Sequence, residues 1–277
     1  MKHLALLALV ACLVPAGLSA QDPPPPAVDP VHRAFDTVLD IYVRDGLVYY
    51  HALKQERPRF DRYVASLAGV KLAESADRNE QLAFWMNAYS AFVLQTVIDN
   101  YPIRGRSASF PANSIRQVSG AFDRRTFRAA GRTVTLDQIE KDMIVPLGDA
   151  RAVLALGRGA LGGGRLKSEA FAAERLEAQL EAAARELVDR REMVFVDQQN
   201  GVLSVNPMFS WRESAFIEGF ADKAAPVFAS RSPLERAVLA IIMPFVVRSE
   251  AYFLEENRFR MDFHEFDWRL NDLTNRR

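Results

Sequence analysis

The chain has 277 residues, of which 35 are basic and 35 acidic, so its formal charge is zero, and 49% of its residues are hydrophobic. A balance this neutral offers no basic surface for nucleic acid or an anionic membrane, and the length suits one large domain or two small ones. The only cysteine is Cys12, so a chain cleaved after residue 20 would hold no thiol, no disulfide and no thiolate metal ligand.

Residues 1–20 read as an export signal. Lys2 and His3 precede an apolar run, Leu4 to Leu18, and the small residues of Gly17-Leu18-Ser19-Ala20 suit cleavage before Gln21. The run, about 15 residues, is too short to span a bilayer comfortably. A rival reading lies inside it, because Leu9-Val10-Ala11-Cys12 resembles a lipoprotein cleavage box that would acylate Cys12. Few residues precede that cysteine for a signal, so cleavage without an anchor is favoured. Either way the chain is expected to be exported, to the periplasm or beyond.

Residues 21–30 form a proline-rich tether. The remainder, 31–277, is expected to fold as a single α+β domain. Asp29 and Pro30 suit a helix start, and Val31, Ala34, Phe35, Val38, Leu39 and Tyr42 share a face. Asp45-Gly46 predicts a turn into a strand at Leu47-Val48-Tyr49-Tyr50, followed by a helix from Arg59 to Leu67.

The strongest signal is a helix from Arg78 to Asn100. Asp77 and Glu80 have capping-box spacing, and apolar residues surround most of the circumference, as in a buried central helix. Asn87 sits inside it. A buried amide must be satisfied, so Asn87 either ties the core to a neighbouring loop or faces a cleft.

A hairpin is expected over Phe127–Val134, then a short helix begun by Thr135 and Gln138 that carries Ile139 and Glu140, then a buried strand from Asp149 to Leu156. A helix from Ser168 to Arg190, a hairpin about Asn200-Gly201, and helices opening at Ser210–Glu213 and Ser232-Pro233 follow. Without regular strand–helix alternation, the pattern is α+β rather than doubly wound.

Between the expected strand and the helix lies Gly157-Arg158-Gly159-Ala160-Leu161-Gly162-Gly163-Gly164-Arg165-Leu166. The loop formally contains a dinucleotide fingerprint and the spacing of a phosphate loop, with Arg165 where a lysine would stand. Backbone amides there, helped by Arg158 and Arg165, suit an anion or carboxylate. A plain close-packed turn is the leading reading of the loop, and the export signal and missing βαβ units argue against a nucleotide.

No histidine pair has helix spacing, and neither a metal nor another cofactor is expected. His51, Glu140 and His264 are the candidate acid–base groups, His264 being close in sequence to Asp262 and Asp267. Arg151 and Trp211, like Asn87, are residues that either serve the core or face a cleft. There is no Gly-x-Ser-x-Gly nucleophile elbow.

Three blocks resemble a bacterial family, the domain of unknown function 547. They are Gln81-Leu82-Ala83-Phe84-Trp85-Met86-Asn87-Ala88-Tyr89-Ser90-Ala91 with Tyr101-Pro102-Ile103, then Thr135-Leu136-Asp137-Gln138-Ile139-Glu140, and Phe266-Asp267-Trp268-Arg269-Leu270-Asn271; Phe209-Ser210-Trp211 resembles a fourth. The resemblance implies an α+β fold akin to papain-type and transglutaminase-type cysteine enzymes. It also implies a Cys-Ala-Ser-x-x-Cys-Pro segment after the central strand, whose cysteines would fall on Arg158 and Gly163 and whose proline would fall on Gly164. Arginine stays protonated and is no nucleophile at neutral pH.

Three readings stay open. One is a non-catalytic binding or scaffolding domain, with a small anionic ligand or peptide as partner. Another is a hydrolase or acyl-transfer enzyme that does not use cysteine. The third is a purely structural envelope protein.

Overall fold

The computed structural model describes residues 29–72 and 76–275. The expected signal at 1–20, Cys12 and most of the tether lie outside the described residues. None of the described helices is long and apolar enough to cross a membrane.

Two hydrophobic cores share one ridge. The first gathers around α4 (Arg78–Asn100), whose Asp77–Glu80 capping box is formed and whose side chains are buried from Leu82 to Val97 and Ile98 on nearly every face. Against it pack α1 (Arg33–Tyr42), α2 (Tyr50–Gln55), α3 (Pro58–Leu67) and the hairpin of β3 (Phe127–Ala129) with β4 (Arg132–Val134). Ahead of α2, β1 (Val43–Arg44) and β2 (Leu47–Val48) turn through Asp45 and Gly46, both at positive φ. The second core gathers around a three-stranded sheet in the order β5 (Val194–Asp197), β6 (Val202–Val205), β7 (Arg260–Phe263). β5 and β6 are antiparallel, whereas β7 returns parallel to β6 after the helices α8 (Met208–Trp211), α9 (Glu213–Phe220), α10 (Pro233–Ile242) and α11 (Arg248–Glu255).

The ridge consists of α6 (Arg151–Ala155) and α7 (Leu176–Asp189). In α6, Ala152 and Ala155 face the first core while Val153 and Leu154 face the second; α7 gives Leu176 and Leu180 to one and Leu187 and Val188 to the other. The glycine loop follows α6 directly, so it lies on the seam. The mixture of helices with small separate sheets is α+β.

Three expected elements differ. Asp149–Leu156 is not a strand but carries the helix α6, with Asp149 Oδ1 accepting the amide of Arg151 at 3.1 Å. A short apolar run has no decisive period, and Ala150, Ala152 and Ala155 favour helix on propensity. The strand expected to reach Tyr50 stops at Val48, because Tyr50 opens α2 and sends its hydroxyl 2.7 Å to Asn271.

The helix expected from Ser168 begins only at Leu176, after a single 3-10 turn at Ala173–Arg175. The intervening backbone stays open because side chains take its amides. Ala170 donates to Asp36 at 2.8 Å, Phe171 to Asn87 at 2.9 Å and Ala172 to Gln179 at 3.0 Å. Asn87 also donates Nδ2 to the Phe171 carbonyl at 2.9 Å, so it ties α4 to this segment through both halves of one peptide-like pair. Asn87→Ala is expected to cost about 1–3 kcal/mol by stranding a buried amide and carbonyl; chemical denaturation checks it, and an unchanged midpoint would deny the tie any weight.

Candidate functional site at the seam of the cores

Sequence dictates the first cluster through a local irregularity. The Thr135–Gln138 capping box starts a one-turn helix, α5 (Leu136–Gln138), which continues as π-helical Ile139–Ile144. Wide turns of this kind are uncommon and often accompany functional sites. Glu140 sits on it, 4% exposed, and meets Arg158 from the glycine loop, 2% exposed. Arg158 Nη2 donates to Glu140 Oε2 at 2.8 Å and Nη1 to the Val153 carbonyl at 3.0 Å. Burial works against the charge on Arg158, but attraction from Glu140 prevails and holds its pKa above the ordinary value.

Arg212 approaches the same carboxylate, with Nε 3.2 Å from Oε1, and the Trp211 ring lies under the Arg158 guanidinium at 5.5 Å. Trp211 in turn stacks on Trp268, their centroids 6.0 Å apart with planes 12° apart. Asp137, one turn before Glu140, has its carboxyl pushed up by burial and by the Glu140 charge. The cluster is therefore a buried, internally neutralised ion pair with a second guanidinium reaching outward.

The glycine loop uses its own polar groups. The amides of Leu161 and Gly162 donate to the carbonyls of Arg269 and Asp267, both at 2.9 Å, and those of Gly163 and Gly164 to Ala160 and Leu156 at 3.2 and 3.1 Å. Arg190 donates to the carbonyls of Leu161 at 2.6 Å and Gly163 at 3.2 Å, and Asn206 to that of Gly162 at 3.0 Å. A Cβ on Gly164 would stand 2.3 Å from the Leu154 carbonyl oxygen, and one on Gly162 would stand 2.7 Å from the Asp267 amide. The glycines thus allow backbone to approach backbone. These four amides are engaged within the fold and are not free to hold an anion, a role that falls more readily to nearby side chains.

Those side chains line a cleft of about 610 Å³ between the glycine loop and the C-terminal segment. Its cations are Arg165, Arg190 and Arg269; Asp45, Glu192, Asp267 and Asp272 oppose them, and His264 completes the wall. Arg165 pairs with Glu186 at 3.2 Å and keeps 36% of its side chain exposed. Arg269 forks onto Asp267 with its side chain 63% exposed. Burial raises the Asp267 carboxyl, and the Arg269 hydrogen bonds more than reverse this. Burial also lowers the His264 pKa, which a hydrogen bond with the Glu192 backbone opposes only in part, so the ring is neutral at pH 7.

The residues singled out from sequence therefore separate. Glu140, Arg158 and Trp211 meet on the seam, while Arg165 and His264 share the cleft. Asn87 ties α4 to the Phe171 segment. Arg151 is held by Asp149 and Glu177 at 2.7 and 2.8 Å, away from both sites. His51 is exposed on α2. His264 does not pair with either nearby aspartate: Asp262 binds Arg260 at 2.9 Å and Asp267 binds Arg269, while His264 Nδ1 lies 3.4 Å from Ser204. Among the described residues no group of three or more His, Cys, Asp and Glu is placed to hold a metal ion. Sequence reasoning passed over Arg190, Arg212 and Asn206. Arg212 adjoins Trp211, a signal that was available, but Arg190 and Asn206 reach the loop from distant elements and carry no local pattern.

Residues 73–188 match a family model described as a protein of unknown function, DUF547. The matched stretch runs from the start of α4 into the end of α7 and includes Glu140 and Arg158. The chain resembles the DUF547 family there. Neither the curated proteins nor the solved structures include a match.

Proposed function

We propose that the chain is an exported, non-catalytic binding domain, and that it takes a carboxylate-bearing ligand, a peptide or a smaller acid, in the cleft between the glycine loop and the C-terminal segment. One observation carries the loss of catalysis. Where the family resemblance would put a cysteine, the chain has Arg158, closed in a buried ion pair with Glu140. A residue so placed offers neither a nucleophile nor a free cation, so the ligand-facing charges are those of Arg165 and Arg269. Each guanidinium shares its donors with one carboxylate and keeps others for a ligand, the usual way arginine recognises carboxylates. The opposing aspartates favour a ligand with positive charge as well, which is the character of a peptide.

The test is a thermal-shift series on the purified protein with short peptides and with simple carboxylates. The expected result is stabilisation by about 5 °C at saturating ligand, lost in Arg165→Ala and in Arg269→Ala. A shift that persists unchanged in both variants overturns the placement. A second reading, a hydrolase that does not use cysteine, is favoured by the neutral His264 in the same cleft. Turnover of the bound peptide that disappears in His264→Ala would replace the binding reading with that one.

A further inference from the structure

The segment between α4 and β3 builds a feature that the cleft does not use. Phe110 and Phe122 rise from it, and Trp268 comes across from the C-terminal segment. Their rings form walls rather than a stack: Phe110 and Trp268 are 6.1 Å apart at 82°, and Phe122 and Trp268 are 6.0 Å apart at 67°. Into the space they enclose goes the guanidinium of Arg116, its central carbon 4.9 Å from the Phe110 centroid, 5.2 Å from Trp268 and 5.7 Å from Phe122. Three ring faces within about 6 Å of one cation is the arrangement by which proteins bind quaternary ammonium groups.

What holds Arg116 there is weak. It stands on a single 3-10 turn, Ile115–Gln117, and is exposed. Its backbone amide bonds to Ser114, but among the described residues no carboxylate lies within ion-pair distance of its guanidinium. An exposed cation on aromatic faces gains only about 0.5–1 kcal/mol, so the side chain can leave at small cost. Beside the rings opens a cleft of about 450 Å³ lined by Phe122, Asp123 and Asp137 together with Arg124 and Arg116 itself, so the departure of Arg116 leaves its carboxylates in excess. Carboxylates at the rim of an aromatic cage add the long-range attraction that a cationic ligand needs.

We propose that Phe110, Phe122 and Trp268 form a cage for an organic cation, a quaternary or methylated ammonium, and that Arg116 is its removable internal occupant. This site differs from the carboxylate-binding cleft in ligand charge and in position, although residues of one C-terminal segment, Trp268 and its neighbours Asp267 and Arg269, serve both. The cage would therefore read the cationic part of a ligand or a separate cationic partner, with Arg116 setting the threshold for entry.

Calorimetric titration of the purified protein with choline tests it, with its uncharged carbon isostere, neohexyl alcohol, as the control. Arg116→Ala is expected to bind choline about two- to fivefold more tightly than the unaltered chain, and Arg116→Ala with Trp268→Ala to lose that gain. The isostere is expected to bind neither. Circular dichroism shows whether each variant is folded. Three results overturn the proposal: a folded Arg116→Ala with no tighter binding, an Arg116→Ala that does not fold (Arg116 would then be a structural tie), or isostere binding as strong as that of choline.

Discussion

Alanine in place of Arg158 is expected to lower the unfolding free energy by about 3–5 kcal/mol, the cost of leaving a buried charge without its partner. Glu140 is buried, and its remaining cationic neighbour, Arg212, lies with Nε 3.2 Å from Oε1 without hydrogen-bonding geometry. Glu140→Ala should be as harmful, because it leaves the fully enclosed Arg158 guanidinium with backbone carbonyls, Met208 and the Trp211 ring around it but no carboxylate in contact. The two changes should not add. Replacing both at once, Arg158→Met with Glu140→Leu, is expected to recover most of the loss, since a buried ion pair contributes little net stability over apolar side chains of similar volume. Arg212 is freed in that variant, but its side chain is 26% exposed and can turn to water. Urea denaturation of Arg158→Met, Glu140→Leu and the variant carrying both measures the cycle. A double variant as unstable as the sum of the singles would mean that the pair stabilises the seam in its own right. Ligand binding gives a second readout: a thermal shift in the cleft should persist in Arg158→Ala from a lower starting temperature, whereas an anion anchored on Arg158 itself would lose it.

The fold was legible where a single stretch of chain decides the outcome. The boundaries of α4 follow from Asp77, Glu80 and the apolar circumference between them, and the β3–β4 turn from Ala130-Gly131, both of which adopt positive φ. It was not legible where distant side chains compete for backbone. Residues 170–172 have a helical composition, yet Asp36, Asn87 and Gln179 each remove one of their amides from any helix. Likewise nothing in Arg260–Phe263 announces a parallel partner that lies more than fifty residues upstream. At the candidate site the same division holds. Arg158 stood out as a cation in the glycine loop and as the position where the resemblance puts a cysteine, but its partner Glu140 comes from another element, so the closed pair could not be read from the loop alone. The C-terminal block Phe266 to Asn271 was noticed for its resemblance and for Asp267 near His264. Its physical part is larger: its carbonyls receive the glycine-loop amides, Arg269 faces the cleft, and Trp268 walls the cage.

Acidification is expected to unfold the domain in a way that one residue accounts for in advance. His32 precedes α1, is 2% exposed, and shares a hydrogen bond of 2.8 Å between Nδ1 and the Tyr63 hydroxyl, with the Phe84 ring 5.6 Å away. Burial lowers its pKa from 6.5 to about 4, and the charge of Asp29 only partly opposes this. Between these values the unfolded chain takes up a proton that the folded chain refuses, so stability is full above pH 6.5, falls as pH drops, and levels off below pH 4. The total is about 3 kcal/mol for a shift of this size. Carboxylates whose pKa values are depressed, such as Asp149 and Asp267, add acid sensitivity of the same sign, but only from about pH 4 downward, where unfolded aspartate begins to protonate. The loss between pH 6.5 and 4.5 therefore belongs to buried imidazoles, with His264 supplying the smaller part because it is less enclosed, while the raised carboxyl of Asp137 works in the opposite sense. His32→Gln keeps an amide toward Tyr63 and carries no titrating group, so its stability should be nearly flat across that interval although lower at pH 7. Denaturation midpoints of both proteins at pH 7 and pH 5 decide the matter: parallel losses would remove His32 from the account and move the sensitivity to the cleft.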